Sequence, residues 1–204
     1  MINFKKFFLW EQAEKHHVLS FGRMNPPTAG HQKLVDKVHQ VAKQHDAGHD
    51  VVISHSHDNK KNPLSPQQKL QHAKNAFSKT NVVTSSKESP TILHHASRLH
   101  RSGVRHLHVV AGSDRVDEMH KLLHRYNDGQ SYKHGSYKFK SITVHSAGAR
   151  DPDAEGTTGI SASKMRDHAV SGNQKEFHKG APSSMSDEHK AKMYHDVRTA
   201  LTSK

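Results

Sequence analysis

The stretch Phe21–Leu34, FGRMNPPTAGHQKL, joins an apolar run to a helix-like run and concentrates residue types that can hold a phosphate. Gly22 and Arg23 close the apolar run, and Pro26 and Pro27 fix φ while denying helical backbone to the residues before them. A helix then starts near Thr28. The unpaired N–H groups of its first turn carry positive potential, Gly30 lets a phosphate approach the backbone, and His31 projects a donor into the same space. It is not a P-loop, because no G-x-x-x-x-G-K-[ST] run is present. Taken alone, Thr28–His31 fits an ordinary helix start equally well.

A second segment points the same way. In GISASKMR (Gly159–Arg166), Ser161 reads as a helix N-cap and Ser163 lies in the first turn, while Lys164 and Arg166 can bend back toward an anion at that terminus. A third, AGSDRVDE (Ala111–Glu118), follows an apolar strand with a small-residue turn at Gly112 and a carboxylate, Asp114. That carboxylate suits ribose hydroxyls or a bound metal ion, and it equally suits a plain N-cap. Arg23, Lys61 and the loop HSAGARDPD (His145–Asp153), which carries Arg150, add further basic residues. Histidine pairs recur at His16-His17, His55/His57, His94-His95 and His106/His108. None comes with the carboxylate pattern of a zinc site, so they read as scattered surface or satisfied rings, with no metal ligands assigned.

The elements that must position these residues follow from the apolar pattern. VLSFG (Val18–Gly22), VVIS (Val51–Ser54), NVVT (Asn81–Thr84), HLHVVAG (His106–Gly112) and FKSITVH (Phe139–His145) are short and β-branched, as strands are. Helical segments about Ala29–Gln44, Pro66–Phe77, Pro90–Arg101 and Arg115–Tyr126 separate them, two opened by Ser-Pro. This alternation predicts an α/β, Rossmann-like fold: a five-stranded parallel sheet with helices on both faces and a small helical C-terminal lobe. The expected organisation is an amphipathic helical segment over 1–17, the sheet domain over 18–166 and a helical extension over 167–204. Ligands bind beyond the carboxyl ends of such strands, which selects the loops after Phe21, Ser54, Gly112 and His145. Gly129–Lys138 reads as a mobile loop.

Composition bounds the partners. The chain has 204 residues, 32% of them hydrophobic, and a mean hydropathy of −0.89, enough for one core with a hydrated surface. With no cysteine there are no disulfides or zinc–thiolate sites, and a cytoplasmic location is expected. No apolar run approaches the roughly 20 residues that span a bilayer, so no membrane partner is expected. A formal charge of +12, with 22 histidines uncounted, favours anionic partners. The charge is dispersed and aromatics make up only 6%, so a solvated basic surface with one anion site is favoured over a dedicated nucleic-acid surface, which stays open. Phe4, Phe7, Phe8 and Glu11 follow helical spacing, and the face they form suits either the protein's own core or a partner, a second copy or a virion component.

Together, GRMNPPTAGH, GSD and ISASKMR, in this order and separation, resemble the nucleotidylyltransferase superfamily with its (H/T)xGH and ISxxxxR motifs, which includes nicotinamide-mononucleotide, phosphopantetheine and glycerol-phosphate nucleotidylyltransferases. The resemblance covers Val18 to about Arg166, and RDPDAEGTTGISASKMR is similar to tailed-phage members, implying a host cytoplasm with virion association open. It implies transfer of a nucleotidyl group, adenylyl in the favoured form, from an NTP to a phosphorylated small molecule such as nicotinamide mononucleotide, with Mg²⁺ and release of pyrophosphate. Cytidylyl transfer to a polyol phosphate, and a catalytically weak structural or nucleic-acid-binding role, are the alternatives. By resemblance His31, Thr28 and Lys164 are catalytic. Gly22, Arg23, Asn25, Gly30, Gly112, Asp114, Ser161, Ser163 and Arg166 hold the nucleotide, and Lys61 and Arg150 the acceptor. Thr28 departs from the fuller HxGH form, since a hydroxyl donates a hydrogen bond but carries no charge.

Overall fold

The computed structural model describes residues 14–58, 60–148 and 161–203. Five parallel strands form one sheet: β1 (Lys15–Gly22), β2 (Gly48–Ile53), β3 (Val82–Thr84), β4 (Val104–Ala111) and β5 (Ser141–Ser146), in the order β3-β2-β1-β4-β5. The order reverses between β1 and β4. There the crossovers leave in opposite directions and a crevice opens at the carboxyl ends, beyond Gly22 and Ala111.

Alternate residues of each strand face opposite sides, and both sides are covered. Val18, Val51, Ile53 and Val110 pack with α1 (Ala29–Gln44) and α2 (Pro66–Ala76) through Val35, Val38, Ala73 and Ala76. Their neighbours Leu19, Val52, Leu107 and Val109 pack with α3 (Ile92–Arg101) and α4 (Val116–Arg125) through Leu93, Ala96, Leu99 and Leu123. The three further helices, α5 (Ala162–Val170), α6 (Gln174–Gly180) and α7 (Asp187–Thr202), join the first of these cores through Met165, Phe177, Met193 and Val197. On α7, Asp196 Oδ2 lies 2.8 Å from Nε2 of the buried His72 on α2.

Two expected boundaries move. β1 begins at Lys15, inside the segment assigned to an N-terminal helix, because register pairing of His17 with Gly48 extends the sheet past the apolar block. The remainder of that segment, with Phe4, Phe7, Phe8 and Glu11, lies outside the described residues. The helical extension expected over 167–204 begins inside α5, which runs through residue 166, and its helices share the first core.

The polar stretch Gly129–Lys138, expected to be mobile, is pinned. Tyr137 is fully buried and donates from its hydroxyl to Leu123 O at 2.9 Å, and Gly129 N–H donates to Tyr137 O at 3.0 Å. Gly135 turns the loop at φ +91°, where a Cβ would meet Ser97 Oγ at 2.3 Å. No described helix is long and apolar enough to cross a membrane.

Candidate anion-binding cleft

A cleft of about 670 Å³ opens at the carboxyl ends of β1 and β4, with the N-termini of α1 and α5 on its walls. Local bonding at Thr28 explains how α1 enters it. Thr28 is the N-cap, and His31 N–H donates to its Oγ1 at 3.3 Å. The His31 ring turns back, and its Nδ1 accepts from Thr28 N–H at 3.0 Å and stands 3.0 Å from Thr28 Oγ1. A ring nitrogen that accepts from a backbone amide carries no proton, so Nε2 of the neutral ring holds it and is a donor. Thr28, only 3% exposed, has its hydroxyl engaged inside this capping box. Within that box it positions His31. Gly30 adds no obstruction, since a Cβ there would touch only Thr28 Oγ1 at 3.5 Å.

Arg166, one turn into α5, crosses the cleft and donates from Nη1 to Asn25 O at 2.8 Å. Burial works against its charge, and Arg23 adds to that while Asp167 and Asp58 oppose it. Asn25, expected to touch nucleotide, is buried with its side chain engaged: Nδ2 donates to Leu64 O at 3.2 Å and Oδ1 accepts from Leu64 N at 3.1 Å. It clips the turn after β1 to the 61–65 loop. Just before that loop, the Asp58 carboxylate accepts from the Asn62 side chain and from the amides of Lys60, Lys61 and Asn62, and these bonds hold it far below the usual carboxylate range. Lys61 is thereby presented at the cleft wall.

At the end of β4, a Cβ on Gly112 would meet Asp114 Oδ1 at 2.7 Å, so the glycine leaves room for that carboxylate against the backbone. Ser161 caps α5, accepting from Lys164 N–H at 3.2 Å, and Ser161 and Ser163 both line the cleft. Gly22, Arg23, Asn25, Thr28, Gly30, His31, Lys61, Gly112, Asp114 and Arg166 line it too, so the structure brings most of the expected residues together. Lys164 is exposed and lies outside the cleft walls, and Arg150 lies outside the described residues. Five cationic side chains, Arg23, Lys33, Lys61, Arg115 and Arg166, and one carboxylate, Asp114, are among the described lining residues, with Arg115 paired to Glu118 at 3.2 Å.

Lys69 is a residue that the motifs did not flag. It is fully buried in α2, and its ammonium donates to Ser54 O and, at 2.7 Å, to Ser56 O, propping the loop after β2. Burial, with Arg23 contributing, pushes it down to about 8. Its signal was position: Lys69, His72, Ala73 and Ala76 form the i, i+3, i+4, i+7 face that α2 buries.

The face of the sheet that α1 covers gathers histidines that read in sequence as scattered. His16 on β1, His108 on β4, His145 on β5 and His45, the C-cap of α1, converge. His16 Nδ1 is 3.0 Å from His108 Nε2, and His108 Nδ1 is 3.1 Å from His145 Nε2. The His45 ring stacks on His108 with centroids 4.1 Å apart. Burial, reinforced by the neighbouring imidazoles, pushes His108 down to about 4. No local spacing reveals this cluster, because strand pairing sets His16 beside His106 from a distant part of the chain.

No family model and no curated protein matches the chain.

Proposed function

We propose that the chain transfers a nucleotidyl group from an NTP, ATP in the favoured form, to a phosphate-bearing small molecule, releasing pyrophosphate. The observation that carries this reading is the convergence of two helix N-termini and five cations, against one carboxylate, on a single cleft at the sheet's switch point. Such a field suits a ligand with several phosphates.

The attacking group in this reaction is a phosphate oxygen, already an anion. It forms a bond to the α-phosphorus as the bond from that phosphorus to the bridging oxygen of pyrophosphate breaks, so no proton need be removed. The protein contributes positioning and charge. His31 Nε2–H is fixed as a donor by the bond at Nδ1, and the α1 amides lie beside it. Arg23 and Arg166 oppose one another's charge, a cost that a bound polyphosphate relieves. Lys61, on the cleft wall, is the cation this reading gives to the acceptor phosphate. One carboxylate beside several cations fits a Mg²⁺ carried in on the triphosphate, with Asp114 as its protein contact. When bound, that ion would neutralise charge on the departing pyrophosphate.

The test is a pyrophosphate-release screen pairing ATP or CTP and Mg²⁺ with nicotinamide mononucleotide, phosphopantetheine and glycerol 3-phosphate. Turnover with one pair is expected. Turnover with none, together with tight and salt-sensitive DNA binding, would replace this reading with the nucleic-acid-binding one.

A further inference from the structure

We propose that His16, His45 and His108 form a binding site for one divalent transition-metal ion of the zinc class. The proposal is independent of the reading of the cleft. One ring nitrogen from each of the three lies within 4.8 Å of the other two. Zinc bound at about 2.0–2.1 Å in tetrahedral geometry needs its nitrogen ligands roughly 3.3–3.4 Å apart, so His16 and His108, now 3.0 Å apart, have to part by a few tenths of an ångström and tilt, and His45 has to swing out of its stack on His108.

The surroundings supply what such a site requires. His108 turns Nε2 toward His16, while its Nδ1 is held by His145 at 3.1 Å, the outer contact that fixes which nitrogen a ligating imidazole presents. His16 is held in plane by stacking on His106, with centroids 4.3 Å apart. His106 in turn is anchored at both nitrogens, 2.7 Å from Ser141 Oγ and 2.7 Å from Glu14 Oε2. His45 makes no ring hydrogen bond among the described residues and only stacks, so it can turn its lone pair toward the other two. Glu14 is engaged by His106 and Lys140, and the three converging ligands are all imidazoles. That set suits zinc, copper or nickel and discriminates against magnesium and calcium. Three protein ligands leave the fourth position to water. The bound ion would tie the end of α1 to the two central strands, β1 and β4.

The test uses the full chain after EDTA treatment and dialysis, titrated with zinc chloride by calorimetry and with cobalt chloride by visible absorption. Expected are one tight site per chain, standing apart from weak binding to exposed histidines, and the intense visible bands of four-coordinate cobalt. The melting temperature should rise by roughly 3–5 °C for each tenfold excess of zinc over its Kd. His45→Ala should weaken the tight site on the order of 100-fold or more, since loss of even an outer contact costs 10- to 100-fold. His16→Ala should do the same, and His120→Ala, on α4, should leave it intact. Melting of the metal-free variants identifies any that fail to fold. The proposal is overturned if folded His45→Ala and His16→Ala keep the tight site, or if the wild type shows only weak binding at many sites.

Discussion

The His31 ring has two edges with separate duties. Nδ1 completes the capping box that starts α1, and Nε2 carries the proton that faces phosphate in the proposed reaction. Substitutions can divide these duties. Asn places Oδ1 where Nδ1 stands and has nothing at the position of Nε2. His31→Asn should therefore melt close to the wild type, yet lower kcat by about 100- to 1000-fold with NTP affinity changed only a few-fold. His31→Ala should lose both, adding a destabilisation of about 0.5–2 kcal/mol from the broken cap. Thermal melts alongside steady-state kinetics on the active substrate pair read the two effects. Near-normal turnover in His31→Asn would remove the ring from the chemistry and leave it a capping residue.

Elements differ in how much of their position is written locally. The five β-branched blocks and the Ser65-Pro66 helix start are local signals, and the strands and α2 lie where those signals point. Gly129–Lys138 shows the limit: its Ser, Lys, His and Gly content reads as solvated chain, but one aromatic, Tyr137, enters the core with its hydroxyl satisfied by a backbone carbonyl. The cleft was legible because both of its helix starts are short motifs. The clip of Asn25 on Leu64 and the prop of Lys69 on Ser54 were not, since each joins segments that only the fold brings together. The pinned loop makes its own prediction. Gly135→Ala must accept φ +91° and a contact with Ser97 Oγ at 2.3 Å, so it should destabilise by about 1–3 kcal/mol. Adding Ser97→Ala removes the hydroxyl contact but leaves the Ser97 Cβ at 3.1 Å, the backbone strain and a lost hydrogen bond to Ser136 O, so the double variant should recover at most part of the loss in a thermal melt. Full tolerance of Gly135→Ala would mean that the loop is not held against α3.

For the molecule as a whole, buried histidines set the acid limit of stability. His49, His72 and His95 are held below the ordinary histidine value of about 6.5, in each case chiefly by burial. The unfolded chain then takes up protons first, so stability should fall as pH drops through about 6.5 and continue falling until the folded rings titrate. Asp50 adds a second stage. Burial raises its carboxyl, but His17, Arg98 and Asn81 together outweigh that and hold it low. Its contribution is present above the unfolded carboxylate value of about 4 and is lost as pH falls through the folded one. Melting temperatures from pH 8 to 3 should decline in two steps, and a flat profile between pH 7.5 and 5 would refute the first. The strand order also bears on how the molecule comes into being. Synthesis runs from the N-terminus, so β1 can pair with β2 and β3 while β4 is still unmade, leaving the β1 edge open until the chain reaches Ala111. The cleft closes later still, when Arg166 fastens to the carbonyl of Asn25, 141 residues upstream. A nascent chain can thus own a sheet long before it owns the cleft, whose walls come together only when segments far apart in the sequence have all been made.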